Sequence, residues 1–243
     1  GAIGFQVTLV EGGYKAWRAE LVADIPRRVS PLTFKVVCGP TGCGKTRLLH
    51  ALAAQGAQVL ALEDLAQHRG SVLGHLPGTQ QPSQKYFDTL IWSALQRFDP
   101  SRPVFVESES KKVGNLRVPD ALMDAMRASP CIDLQLPDDE RVGLLLEDYA
   151  YLVNDPTYFC GRLHALTELR GKQVVGNWVE LVHQGRFADV FRDLLLTHYD
   201  PGYAASIQRN FARYGDADQL QLPDRTPAAF EALARQLTDL RQA

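Results

Sequence analysis

A chain of 243 residues, 45% apolar and 22% charged, is long enough to bury a sizeable core and falls in the range of one or two domains. Its 26 basic and 28 acidic residues leave a formal charge of -2, so no overall basic field points to nucleic acid, and any polyanion must be held by local patches. No apolar run approaches the roughly 18 residues of a membrane helix, and no charged segment followed by an apolar stretch opens the chain, so a cytoplasmic protein without a membrane partner is expected.

Gly1 to Asp24 reads as the end of a preceding unit: VTLVEGGYKAWRAEL predicts a short strand, a Gly12-Gly13 turn and a short helix, too little to bury a core alone. FKVVC from Phe34 predicts a buried strand, GPTGCGKT a glycine-rich loop, and KTRLLHALAAQG a helix closed by Gly56. VLAL (59–62) is a second predicted strand. KYFDTLIWSALQRF is an amphipathic helix with Phe87, Leu90, Ile91, Ala94, Leu95 and Phe98 on one face. PVFVE (103–107) is a third strand, and PDALMDAMRAS, CIDLQL and DDERVGLLLEDYAYLV continue as helix, strand, helix. This alternation implies a parallel sheet with helices on both faces. From Pro156 no strand is expected: TYFCGRLHALTEL, GNWVELVHQG, FADVFRDLLLTHY and AASIQRNFARYG all read as helices. AAFEALARQLTDLRQA places Phe230, Leu233, Leu237 and Leu240 on one stripe, which is expected to pack back onto the body. The four cysteines, Cys38, Cys43, Cys131 and Cys160, have no CxxC spacing, and Cys38 and Cys131 lie in apolar strand-like runs, so neither disulfide nor zinc is expected.

The loop at 39–46 carries the first chemistry. GxxxxGK[ST] arises by chance in about 1% of chains this long, and here it sits between a buried strand and a helix, the context a P-loop requires. Gly39, Thr41, Gly42, Cys43, Gly44, Lys45 and Thr46 are the candidate phosphate binders, with backbone N–H groups forming an anion nest at the positive end of the helix. Lys45 reaches the terminal phosphate and Thr46 offers a hydroxyl to magnesium. Glu107, at the carboxyl end of the third strand, is the Walker B candidate; it or Glu109 can instead act as a base or position a substrate. Arg141, in the first turn of its helix, can swing onto phosphates or lie on the surface. Glu63, His68, Arg69 and Ser71 leave the sheet's carboxyl edge after the second strand, where surface is the blander reading.

EGGYKAWR (11–18), GPTGCGKT, LEDLAQHRGS (62–71), QPSQKYF (81–87) and VFVESESKKVG (104–114) together resemble the bacterial tRNA 2-selenouridine synthases over nearly the whole chain. The P-loop alone is generic, whereas HRGS, QPSQ and ESES together are specific. The resemblance implies a P-loop NTPase-like α/β domain over 31–155, the carboxyl-terminal remnant of a rhodanese-like domain and linker over 1–30, and a helical, tRNA-binding extension over 156–243. It implies a two-step exchange on tRNA carrying 2-thiouridine at the wobble position. Geranyl diphosphate geranylates the sulfur, and selenium from selenophosphate then displaces it. Lys45, Glu107, Glu109 and Arg69 are the expected catalytic residues, and His68, Arg69, Gly70, Ser71, Gln84 and Ser108 the expected substrate contacts. Selenation in the family depends on a rhodanese cysteine that none of the four cysteines here matches, so this chain is not expected to selenate alone. A geranyl slot is expected among the aromatics of KYFDTLIW or in the helices after Pro156. Lys111, Lys112, Arg117, Arg186, Arg192, Arg209 and Arg213 are the candidate tRNA contacts, each equally readable as a solvated face. A P-loop small-molecule kinase or nucleotide hydrolase, and an RNA adaptor switched by a nucleotide, remain compatible with the same loop.

Overall fold

β-branched and aromatic runs too short to be helices form the centre of the protein: β1 (Phe34–Cys38), β2 (Gln58–Leu60), β3 (Val104–Glu107) and, farther along, β6 (Cys131–Gln135). A computed structural model describes residues 11–71, 73–75 and 78–239. The sheet order is β2-β3-β1-β6-β7, every pair parallel, with β7 (Asp218–Gln221) at one edge. Alternation within the strands divides the core in two. Val36 and Val106 face α1 (Gly13–Val29), α4 (Gln84–Leu95) and α5 (Asp120–Ala128), while Val37 and Phe105 face α2 (Lys45–Ala54) and α13 (Pro227–Asp239). A third cluster joins Val142 and Leu145 of α6 (Asp138–Asp148) to Phe159, Trp178 and Phe191 of the extension.

The extension is made of α8 (Pro156–His164), α9 (Thr167–Arg170), α10 (Lys172–His183), α11 (Phe187–Asp193), a π-helical turn at Leu194–Tyr199 and α12 (Asp200–Asn210). Asp155 caps α8 by accepting from Tyr158 N at 2.9 Å, with Pro156 pre-set in the first turn.

Four expectations are corrected, and a hairpin that none of them covered is added. A strand does occur after Pro156: β7 reads DQLQ, without apolar alternation, and joins the sheet through backbone pairing to β6 alone. The second strand ends at Leu60, and Leu62–Ala66 is a short helix, α3, so Glu63 lies in a helical first turn rather than a loop. KKVGNLR forms a hairpin, β4 (Lys112–Val113) with β5 (Leu116–Arg117), turned at Gly114 and Asn115. DDERVGLLLEDYAYLV breaks at Tyr149 into α6 and α7 (Ala150–Asn154). The short first helix is a 17-residue α1 that buries Leu21, Ile25 and Val29 in the same core as β1 and β3. Its Arg18 pairs with Asp88 of α4, and Trp92 of α4 donates to Asp24 at 2.9 Å. The expected VTLV strand and Leu240 lie outside the described residues. Phe230, Leu233 and Leu237 are buried against α2, as the stripe predicts. Among the described residues no helix is long and apolar enough to cross a membrane.

Candidate phosphate-binding site

β1 delivers the chain to the carboxyl edge of the sheet, where it turns through Gly39 to Gly44 into α2. Gly44 holds φ at 87°, and a Cβ there would stand 2.6 Å from Phe230 Cε1, so α13 excludes a side chain at this position. Lys45 Nζ donates to Gly39 O at 2.8 Å and lies 5.7 Å from the centre of the Tyr203 ring. Gly39 N donates to the Tyr203 hydroxyl at 2.6 Å, so α12 reaches back across 164 residues to touch the loop. Burial opposes the Lys45 ammonium, but Cys43, Glu63 and Glu109 around it outweigh that effect and hold its pKa above the usual value.

Behind the lysine runs a chain of carboxyl groups. Thr46 Oγ1 donates to Glu63 Oε2 at 2.9 Å, Gly70 N donates to Glu63 Oε1 at 2.5 Å, and Glu63 N donates to Glu107 Oε1 at 2.8 Å. Glu107 Oε2 is buried without a partner. Burial, then the nearby Glu63, push the Glu107 carboxyl up to about 8. Glu109 is also pushed well above the carboxylate range, by burial first and then by Glu63 and Glu107. Gly70 threads between them: a Cβ there would come 2.7 Å from Glu109 Oε2 and 2.9 Å from Glu63 Oε1.

The segment after α3 forms the rim. Arg69 Nη1 pairs with Asp148 at 3.2 Å and its guanidinium lies 5.6 Å from the Tyr149 ring centre, while Ser71 Oγ meets the Tyr149 hydroxyl at 3.1 Å. His68 is half-buried, its Nδ1 lacks a partner, and burial lowers its pKa. Arg141 lies beside the loop but is not free to swing. It is 3% exposed, donates to Thr41 O at 2.8 and 3.0 Å, and pairs with Asp200 at 2.6 Å and Asp138 at 2.9 Å. It braces the P-loop to the first residue of α12.

Loop, rim and α12 enclose a cavity of about 460 Å³, within the size range of small-molecule sites. Of the expected phosphate and substrate residues, Thr41, Gly42, Gly44, Lys45 and Thr46 line it from the loop, Arg69, Gly70 and Ser71 from the rim, and Ser108 and Glu109 from the end of β3. Gly39, Cys43, His68, Glu107 and Arg141 lie outside the lining, and all four cysteines are free and buried. Gln84 lies elsewhere. Its side chain donates to Arg117 O at 2.8 Å and accepts from Arg117 N at 2.8 Å, which pins the hairpin to α4. The basic candidates divide. Lys111 and Lys112 are exposed on the hairpin, whereas Arg117 pairs with Asp120 at 2.9 Å, Arg186 with Asp189 at 2.7 Å and Arg192 with Asp139 at 2.5 Å. Arg209 and Arg213 are exposed, and no carboxylate pairs with either among the described residues.

Sequence reasoning missed Tyr203, Tyr149 and Arg127, which line the cavity, and Asp200, which anchors Arg141 beside the loop. Asp200 and Tyr203 follow a π-helical turn, a local widening common at functional sites, but FADVFRDLLLTHY carries no pattern that distinguishes it from an α-helix.

A strand, a glycine-rich turn and a helix opening on Lys45 and Thr46, at the carboxyl edge of a parallel sheet, define an α/β protein with a P-loop-like domain. The family described as tRNA 2-selenouridine synthase AAA domain matches residues 32–170, more than half of the chain, and the chain belongs to that family. It is 40% identical over 149 residues to the tRNA 2-selenouridine synthase of Alcanivorax borkumensis, covering 60% of this chain and 40% of that protein. The corresponding figures are 38% over 149 residues for Nitrosomonas europaea, covering 60% and 38%, and 35% over 148 residues for Marinobacter nauticus, covering 60% and 39%. The chain thus spans about two fifths of the length of the curated relatives it matches.

Proposed function

We propose that this chain is the phosphate-handling part of an enzyme that modifies the wobble uridine of tRNA. The P-loop holds the diphosphate of geranyl diphosphate while the sulfur of 2-thiouridine displaces it. Selenium from selenophosphate then replaces the geranylated sulfur, a step drawing on the cysteine of a rhodanese-like domain. The observation that supports this most is the joining of a phosphate nest to a cavity with apolar walls. Leu144, Leu145 and Tyr149 line it from one side, and Ile207 and Phe211 from the other. The aromatics of α4 contribute nothing to these walls: Phe87 and Trp92 pack in the core on the α1 side of the sheet, and Tyr86 is exposed.

In the transfer, a carbon–sulfur bond forms at the allylic carbon as its bond to diphosphate oxygen breaks, so the catalytic work is stabilising charge on the leaving group. Lys45 and the loop N–H groups meet that charge, and Arg69 exchanges Asp148 for a phosphate oxygen. Glu109, whose carboxyl is pushed well above the usual range by burial and then by Glu63 and Glu107, lines the cavity beside them. Magnesium fits the residues present. Thr46 Oγ1 and Glu63 Oε2 are hard oxygens 2.9 Å apart, and the unpartnered Glu107 Oε2 lies behind them. Among the described residues no group of three His, Cys, Asp or Glu side chains is assembled to hold a metal, so the ion would rest on Thr46 and Glu63 with phosphate and water completing its shell. Bound there, it adds positive charge opposite the departing diphosphate.

Single-turnover geranylation of 2-thiouridine tRNA, read by mass spectrometry of the nucleoside, tests the reading. Lys45→Ala is expected to lower the rate at least about a hundredfold while changing tRNA affinity less than about threefold, because Lys45 meets charge that grows during the step. A Lys45→Ala protein that geranylates at the normal rate would refute it.

A further inference from the structure

Arg127 stands in the last turn of α5 and lines the same cavity as the P-loop. It is half-buried, its Nε is buried with no hydrogen-bond partner, and no carboxylate pairs with it among the described residues. A guanidinium cannot shed its proton in this setting, so a half-buried one without a counter-charge is a site waiting for an anion. Arg127 is fixed in place: Ala212 N donates to its carbonyl at 3.0 Å, tying the end of α5 to the end of α12. Next to it the cavity wall is neutral and polar or aromatic, formed by Ser206, Asn210 and Phe211. Arg209 and Arg213, two exposed arginines with no carboxylate paired to them among the described residues, sit on α12 and just beyond it, whereas Arg117, Arg186 and Arg192 are each neutralised. Arg127, Arg209 and Arg213 thus place three arginines without a paired carboxylate around the α5–α12 junction, separate from the nest formed by 39–46.

We propose that Arg127 is a second phosphate-binding residue, taking a phosphodiester of the RNA strand whose base enters the cavity. This rests on the tRNA-modifying reading. The nest, Lys45 and Thr46 already match a diphosphate, so the small co-substrate leaves Arg127 unpaired. A phosphodiester carries one charge on two free oxygens, which one guanidinium grips in a bidentate manner. A single arginine reaching a backbone phosphate would fix how far the nucleotide enters, and so where its sulfur lies relative to the nest.

The test measures tRNA affinity over a salt series, and inorganic diphosphate affinity in parallel, for the full chain and for Arg127→Gln and Arg127→Lys. Arg127→Gln is expected to weaken tRNA binding about tenfold and lower the salt slope by about 0.7, while Arg127→Lys retains the slope. Diphosphate affinity should stay within about twofold of wild type in both, the expectation for a residue outside the nest. Unchanged tRNA affinity and slope in Arg127→Gln would overturn the proposal and leave the tRNA-modifying reading standing. So would a matched loss of diphosphate affinity at an unchanged unfolding midpoint, which would put Arg127 in the P-loop site. Failure of wild-type protein to bind diphosphate at all would instead remove the functional reading. If Arg127→Gln unfolds, Arg127→Met takes its place: a slope lowered by about 0.7 supports the proposal, and an unchanged slope contradicts it.

Discussion

Glu107 is 1% exposed, with one carboxyl oxygen accepting from Glu63 N and the other unpartnered, and its pKa is raised to about 8. A carboxyl whose folded pKa lies above the ordinary 4.5 binds its proton more tightly in the folded state. Its stabilising contribution is therefore complete below about 4.5 and is lost as pH rises through about 8. Glu107→Gln removes the ionisation and keeps the acceptor for Glu63 N. Its unfolding temperature should exceed that of wild type by several degrees at pH 9, and the gap should narrow towards pH 5, at about 2–4 °C per kcal/mol for a chain of this length. Thermal unfolding across that range, with parallel curves for the two proteins, would show that Glu107 is ionised without penalty. The GPTGCGKT motif made Lys45 and Thr46 legible, because strand, glycines, lysine and hydroxyl stand at fixed spacing. Arg127 was not, since nothing local marks an arginine at a helix end as unpaired.

At the scale of elements, the P-loop is held from two sides by segments distant in the chain. Arg141 of α6 ties Thr41 O to Asp200 at the start of α12, and Phe230 of α13 fills the space over Gly44. Phe230 is 2% exposed, so Phe230→Ala should destabilise the protein by about 3–5 kcal/mol, and by opening space over Gly44 should also weaken diphosphate binding. Urea unfolding with calorimetric titration of diphosphate checks both, and a stability loss with unchanged diphosphate affinity would show that α13 supports the fold but not the loop. The Phe230, Leu233, Leu237 stripe was readable because a 3.6-residue period marks a buried helix face. β7 was not: DQLQ is largely exposed, and its strand character comes from the free edge of β6 rather than from its own side chains. The β4–β5 hairpin did carry a signal in Gly114-Asn115 between valine and leucine, the two-residue turn of a short hairpin.

At the scale of the molecule, the alternation of strands and helices up to α6 fixes a parallel sheet, and the candidate site lies at the carboxyl edge where such sheets hold ligands, so the fold and the place of the candidate site were legible in the chain. What closes the site was not. Tyr203, Asp200 and Phe211 come from the helical extension, and their partners lie tens of residues away in a geometry that only the packing of α12 against the sheet's α1-side core establishes. A nest of N–H donors does not by itself distinguish a nucleotide from a prenyl diphosphate, so selectivity rests on the walls beyond it. A ten-carbon geranyl chain gains about 0.8 kcal/mol for each buried CH₂, whereas a nucleoside needs polar partners for base and ribose. Titration calorimetry of geranyl diphosphate and ATP against the same protein, with inorganic diphosphate as competitor, reads that choice directly. Geranyl diphosphate should bind at least about tenfold tighter than ATP and be displaced by diphosphate, as the burial of a few methylenes requires; tighter binding of ATP would contradict the account and return the site to a nucleotide kinase or hydrolase.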